Sequence, residues 1–499
     1  MIMPKESLIA ISIVIIYMVV VNIWIRKRSA LKDSSDMDGF AVGGRSFKWY
    51  MVMFTILATW YTGSCFTGAF GYAVSFGVFA LYDTTQVIAG LVFLYVIGPR
   101  IWTWGKVHNL YNLPEFIDLR YRDERLSLVI AIYTILIGFP WTVMAFKTFG
   151  YVVYALTYGA IPFNVGMIIA ALFILSYSLK GGQKGVVNSD FIQGIVMIFG
   201  SMILIVVLAF KLFGGFGPML QEIALKKPEL LVIDDAPYWS SVILVGVIGS
   251  YCWMEIFNRM FVARSARELK LSTAGAPILG AGMYIMLLLL GIGSALIPEV
   301  VADPESGFLT ISKMVGGPFM LGLTGIIILA AEISSTDSGL VTGGIVIANN
   351  IVKRIKPDLS EYELVKISRI AIIAEASLAV ILAMFELPML MTLAIFTFEH
   401  IVHVFPTAIM GILWKKGNSK AAWAGIAVGL PITIILGLLP DISTNLFGSW
   451  APGVIGLAFN IIVYIIVSLL SKTDEYVVDL FDEVNSKIKA DIKAESIEN

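Results

Sequence analysis

Residues 330–339 read AAEISSTDSG, and the segments flanking them decide what kind of chain this is. Ahead runs Gly325-Ile-Ile-Ile-Leu329 and behind runs Leu340-Val-Thr-Gly-Gly-Ile-Val-Ile-Ala348, both apolar enough for lipid. Between them lie two carboxylates, Glu332 and Asp337, and four hydroxyls, Ser334, Ser335, Thr336 and Ser338. An ionised side chain at the bilayer centre costs at least about 2.5–3.5 kcal/mol unless something compensates it. A polar cluster embedded in a run of this length therefore points to a membrane helix with a function at its middle.

The rest of the chain has the same character. Of its 499 residues 58% are hydrophobic and 14% charged, where a soluble chain carries nearer to about 25% charge. Thirteen apolar segments recur, at about 7–25, 49–75, 79–102, 127–157, 161–179, 188–212, 239–260, 272–297, 318–348, 366–386, 388–413, 419–438 and 451–470. The first is long enough to stay as a span rather than act as a cleaved signal. The expected fold is an all-α polytopic membrane protein. The net charge of −1 says nothing about nucleic acid, and with no basic arm or stripe no nucleic-acid partner is expected. Two cysteines, Cys65 and Cys252, and three histidines leave haem or a structural metal without a ligand set. No nucleotide-binding loop or nucleophile–base pair stands out, so neither an enzyme nor an ATP-driven pump is expected, and no organic cofactor.

Cytoplasmic loops collect Lys and Arg. Placing the first loop (Arg26, Lys27, Arg28, Lys32, Arg45, Lys48) inside puts 29 of the 35 basic residues inside. Five (Lys5, Lys211, Lys226, Lys227, Lys313) fall outside, and Lys147 stays within a span. The N-terminus is then outside and the C-terminus cytoplasmic, in a multi-pass protein of the cell membrane. The segment 1–48 supplies an extra helix and a loop, and 213–238 an external loop. Two further helices occupy 414–470, and 471–499 reads as an amphipathic cytoplasmic surface helix that frays at its end.

Spans two to six (49–212) and seven to eleven (239–413) are five-helix units, and an odd number of spans inverts the second against the first. Inverted units of this kind build many secondary transporters, with the first helix of each interrupted at the midplane. The second span carries TWYTGSCFTGAFGYAVSFG, with Gly63, Gly68, Gly71 and Gly77; the seventh carries GVIGSYCWMEIFNR, with Gly246 and Gly249. Both suit a break, and both also suit close helix packing.

On a helix, Ala331, Ser334, Ser335 and Ser338 follow i, i+3, i+4, i+7 and share one face, with Asp337 at its border. Na⁺, a small hard cation, takes several oxygens, which this face and unwound carbonyls of the second span can supply. The serines can instead bond back to i−4 carbonyls and thin the helix for packing. Glu332 lies off the Ser face, where it either pairs with a neighbouring helix or lines an aqueous path.

FAVGGRSFKW (40–49), YSLKGGQKGVVNSDFIQ (177–193), NRMFVARS (258–265) and the 331–338 pattern together resemble the sodium:solute symporter family. That family includes bacterial sodium/proline, sodium/pantothenate, sodium/galactose and sialic acid transporters. The resemblance runs from about 40 to 470 and implies an inverted five-plus-five, LeuT-type bundle with a preceding extra helix. It implies a main sodium site built from the carbonyls of Ala58, Tyr61 and Ala331 and the hydroxyls of Ser334 and Ser335. Some members hold a second sodium, and its positions fall here on Asp190, Ser334, Asp337 and Ser338. Asp337 departs from the hydroxyl those members carry, which permits tighter Na⁺ binding or coupling to H⁺. Asp190 also reads as an N-cap of the sixth span.

Solute should sit beside the two breaks. Candidates are Thr62, Ser64, Cys65 and Thr67 from the second span and Asp83, Thr84, Thr85 and Gln86 from the third. The seventh adds Tyr251, Trp253 and Glu255, with Trp60, Tyr61, Phe66 and Trp141 as lids or floors. Lys147 reads as a counter-ion for a solute carboxylate, as a partner of Glu255, Asp83 or Glu332, or as a snorkelling residue. In sialic acid members a basic residue of this span holds the carboxylate, and Lys147 is offset from that place by about one turn. Glu399, His400 and His403 read as interhelical bonds, with a proton relay as the alternative.

The expected function is sodium-coupled symport of a small organic solute, a carboxylate or amino acid favoured, by a monomer or weak homo-oligomer in lipid. A proton-coupled symporter using Asp337 or Glu332, and a solute sensor, are the competing readings. A channel would need a continuous polar lining, which the chain does not show.

Overall fold

The computed structural model describes residues 4–28 and 37–498; Lys32 of the first expected loop lies outside them. Among the described residues every regular element is a helix, apart from a single bridge between Phe47 and Ala263. The helices that position the site are α1 (Lys5–Arg28), α2 (Trp49–Trp60), α3 (Phe70–Phe76), α4 (Leu81–Val107), α5 (Glu124–Leu156), α6 (Phe163–Ile195), α7 (Ser201–Phe213), α8 (Ala236–Gly249), α9 (Met254–Phe261), α10 (Ala266–Ser294), α11 (Gly307–Val346), α12 (Glu361–Ala383), α13 (Leu390–Ile401), α14 (Ser419–Leu438), α15 (Pro452–Leu470) and α16 (Glu475–Glu498). Among the described residues eight helical segments are long and apolar enough to cross a membrane, and α8 with α9 makes a ninth if the bent pair is one span. The fifth and sixth apolar segments, expected apart, lie in one run of helical backbone bonding, α6, which continues through a π turn at Val196–Gly200 into α7.

Both expected breaks are present. Between α2 and α3 the backbone leaves the helix at Tyr61 (φ −103°, ψ 83°) and resumes through a π turn at Cys65–Ala69. Gly63 makes the break possible: a Cβ there would stand 2.6 Å from Glu332 Cβ and 2.8 Å from the Ile328 carbonyl. Only a bare backbone fits so close to α11. The pair α8–α9 is bent by 53° across Ser250–Trp253. Here the glycines follow the packing alternative. Gly246 and Gly249 lie inside α8, where Gly246 makes room for Gln86 and Gly249 faces Ile401 and Phe398; the chain breaks after them, at Trp253 (φ −70°, ψ 130°).

The two broken helices are tied together at the end of the bundle that carries most of the basic loops. Phe47 N–H donates to the Val262 carbonyl (3.3 Å) and Arg264 N–H to the Phe47 carbonyl (2.9 Å). Buried Asn258 donates to the carbonyls of Ala41 (2.9 Å) and Tyr111 (3.0 Å). The tail helix α16 docks there as well, burying Val477, Leu480, Phe481 and Val484, with Phe481 against Trp104. Its apolar stripe is spent on the protein itself. α14 and α15 pack as a hairpin beside the bundle.

Candidate functional site

The serine face of α11 lies against the α2 break. Ser334 Oγ approaches the Ala58 carbonyl at 3.5 Å and donates to the Ala331 carbonyl at 2.9 Å; Ser335 Oγ donates to the same carbonyl at 3.1 Å. Four of the five residues expected at the main sodium site thus meet at one point. The fifth, Tyr61, is the residue at which the helix leaves its regular path, and its ring packs edge-on against Tyr284. The back-bonds expected of serines in a packed helix are also present. A hydroxyl that donates to Ala331 keeps lone pairs for a cation.

The positions of the expected second cation site are arranged differently from a simple ion cage. Asp190 and Arg259 are both buried, at 0% and 1% exposure, and pair at 3.0 Å. Thr55 Oγ1 donates to the same Asp190 oxygen, Oδ2, while Oδ1 has no hydrogen-bond partner among the described residues. Arg259 also donates to Gln183 Oε1 (2.6 Å) and Thr59 Oγ1 (3.2 Å), and Gln183 donates to Thr342 (3.1 Å). One guanidinium therefore joins α9, α2 and α6, and through Gln183 reaches α11. This corrects two expectations. Asp190 lies within α6 rather than at its N-cap, and Lys147 is not the only basic residue away from the loops. Asp337 and Ser338 are buried on α11 close by in sequence.

Beside the α2 break is a cavity of about 110 Å³. Thr62, Ser64, Cys65, Gln86, Trp253 and Glu255, all expected at the solute site, line it, together with Asp83, Trp60 and Trp141. Glu332 lines it too and accepts from Ser64 Oγ at 3.2 Å, so the carboxylate off the Ser face reaches the cavity and bonds to the broken second span.

Other expected residues are elsewhere. Thr67 is held by Thr148 at 3.1 Å. Tyr251 donates to the Gly90 carbonyl and packs on Phe93. Phe66 stacks on Phe308, and Thr85 bonds back to Leu81. Lys147 is not in the lining; its charge faces Glu305 and Glu386, towards the end where Glu305 accepts from Tyr151 (3.0 Å) and from the Leu390 N–H (2.6 Å). The helical turn of offset turns the ammonium away from the cavity, which removes it as a counter-ion there. Glu399 accepts from the Gly453 N–H (3.0 Å), and His403 bonds Thr433 (2.7 Å) and Asn460, as the interhelical reading expects.

Sequence reasoning missed Gly138, Thr142 and Ala145, which with the expected Trp141 form the α5 wall of the cavity. Their i, i+3, i+4, i+7 spacing was the available signal. It also missed Met391 and Phe398, which nothing in their own segments distinguishes, and it placed Thr336 in the polar cluster of residues 330–339 without assigning it to the solute site.

A family model described as the sodium:solute symporter family matches residues 40–429. The osmoregulated proline transporter OpuE of Bacillus subtilis is 25% identical over 94% of this chain and 96% of its own length. The sodium/pantothenate symporter of Escherichia coli is 24% identical over 83% of this chain and 86% of its own. Among solved structures, the substrate-bound outward-open state of a Na⁺-coupled sialic acid symporter superposes with a TM-score of 0.76 at 18% identity, covering 94% of this chain and 98% of that one.

Proposed function

We propose that this chain, which belongs to the sodium:solute symporter family, moves a small organic solute across the cell membrane together with Na⁺ by alternating access. It is a transporter rather than an enzyme, and a multi-pass membrane protein. The observation that carries the sodium assignment is the meeting of Ser334, Ser335 and Ala331 with Ala58 at the α2 break. Na⁺ there would be held by the carbonyls of Ala58, Tyr61 and Ala331 and the hydroxyls of Ser334 and Ser335. An ion in that position ties α11 to the broken helix, so its arrival and departure bias the state of the bundle. Coupling follows because each ligand binds one state better than the other.

The remaining assignments belong to the same proposal. The chain spans thirteen times, N-terminus outside and C-terminus cytoplasmic, with repeats at 49–212 and 239–413 in opposite orientation. Asp190, Ser334, Asp337 and Ser338 border a second cation position, where the open Oδ1 of Asp190 is the available ligand atom. The cavity at Thr62, Ser64, Cys65, Gln86, Trp253 and Glu255 takes the solute.

The energetics suffice for accumulation. One Na⁺ moving through 100 mV releases about 2.3 kcal/mol, and a tenfold gradient adds about 1.4 kcal/mol. Together they support roughly 500-fold accumulation per ion. The test is uptake into vesicles containing the purified protein, driven by a sodium jump. Uptake that requires external Na⁺ supports the proposal. Equal uptake in potassium medium overturns it, and a response to pH instead would favour proton coupling through Glu332.

A further inference from the structure

The charge balance of the cavity points to a solute class other than the one its sequence suggests. Three carboxylates line it, Asp83, Glu255 and Glu332, and no Lys, Arg or His does so among the described residues. Asp83 accepts from Gln86 and Tyr284 on its two oxygens, and Glu332 accepts from Ser64. Glu255 has no hydrogen bond to another side chain among the described residues. Arg259, one turn further along α9, is committed to Asp190. Two more polar atoms stand ready at the cavity: the Thr62 hydroxyl and the acceptor Gln86 Oε1 are both buried, at 9% and 2% exposure, and lack a hydrogen-bond partner among the described residues. A lining with three carboxyl groups and no basic side chain suits a ligand that brings N–H groups or a positive charge.

The lining is also rich in aromatic rings. Trp141, Trp253 and Phe398 stand mutually perpendicular, at interplanar angles of 84°, 82° and 87° and centroid separations of 5.6–6.0 Å. Trp60 adds a fourth ring to the lining. Aromatic faces attract cations through their quadrupole, and boxes of such rings are the usual receptor for ammonium groups. A solute carboxylate would meet three carboxyl groups and no basic side chain in the lining.

We propose that the solute is a small organic cation, an amine or quaternary ammonium, with its positive centre between Glu255 and the ring box of Trp141, Trp253 and Phe398. This rests on the symport reading and names its substrate class. At about 110 Å³ the cavity is somewhat smaller than a 150 Å³ cavity that admits benzene, which limits the solute to a compact molecule.

The experiment is thermal unfolding of the purified full chain in NaCl and in KCl with matched probes. These are choline, its neutral isostere 3,3-dimethylbutan-1-ol, the corresponding acid 3,3-dimethylbutanoate, and proline. In NaCl, choline should stabilise at a concentration at least tenfold below the neutral isostere, with no effect of the acid or of proline. Glu255→Gln should shrink the choline-to-isostere ratio below about threefold while the response to Na⁺ alone persists. Should that variant fail to fold, Glu332→Gln and Trp253→Leu provide the same comparison. The proposal is overturned if the isostere matches choline, if the acid or proline stabilises at a lower concentration, or if choline has no effect at tens of millimolar. Loss of the Na⁺ response in the unaltered protein, with the preference for choline retained in KCl, would instead strike the symport reading alone.

Discussion

Replacing Asp190 by Asn should destabilise the folded protein by several kcal/mol, and the cost should vanish in large part when Arg259 is neutralised as well. The guanidinium is 1% exposed and lies 3.0 Å from the carboxylate. At an effective dielectric constant of 20, that separation corresponds to an attraction of about 5 kcal/mol. Breaking a buried pair by removing one partner typically costs about 3–5 kcal/mol, because the surviving charge is stranded. Arg259→Gln strands the carboxylate instead, and also loses the bonds to Gln183 and Thr59. The double variant strands neither charge. A double-mutant cycle, read by reversible denaturant titration in detergent micelles, should therefore show coupling of at least about 2 kcal/mol. Additivity within about 0.5 kcal/mol would refute the claim that the pair acts as one unit. The same variants report on ion binding, since a cation held by the open Oδ1 of Asp190 would make half-saturating Na⁺ rise in Asp190→Asn once solubility and fold are matched.

Ser335→Ala should raise half-saturating Na⁺ at least tenfold, about 1.4 kcal/mol of lost ligation, measured as sodium-dependent stabilisation; an unchanged value would remove Ser335 from the ion site. Lys147→Ala should leave solute affinity within about twofold, because Lys147 faces Glu305 and Glu386 rather than the cavity; a loss of more than about thirtyfold, some 2 kcal/mol, would restore it as a solute counter-ion. Gly63→Ala forces a methyl to within 2.6 Å of Glu332, so overpacking should cost about 1–3 kcal/mol and slow uptake more than binding; wild-type stability and uptake would show that the break is looser than its contacts imply. Outside the spans, Asp123 accepts from the N–H groups of Arg125 and Leu126 and from Ser419 and Trp423 (2.9 Å). Burial pushes its carboxyl up, but these bonds outweigh it and hold it below the usual carboxylate value. A depressed folded pKa stabilises above the unfolded value, near 3.9, and is lost as pH falls through the folded one. Asp123→Ala should thus cost about 1 kcal/mol at neutral pH, with the gap to wild type closing below about pH 4 in urea or thermal titrations.

The chain announced its membrane character, its helices and the serine face of α11 through local signals. Apolar runs set by bilayer thickness are read within one segment, and the 331–338 periodicity needs only the pitch of a helix. The two breaks were also legible, though the glycines of α8 turned out to serve packing and the bend came at Trp253. What no segment could disclose was which groups meet across the bundle. Arg259 reads as one more basic residue near a loop until α9 folds it against Asp190. Lys147 reads as a solute counter-ion until the rotation of α5 points it at Glu305 and Glu386. Trp141 and Phe398 come from two helices and Trp253 from the break between α8 and α9, and their common box exists only once those segments pack. Periodicity fixes which face of a helix is polar, because it is a property of one backbone. The partner of a buried charge is fixed by the azimuth and depth of two helices at once, and those are set by the packing of the whole core.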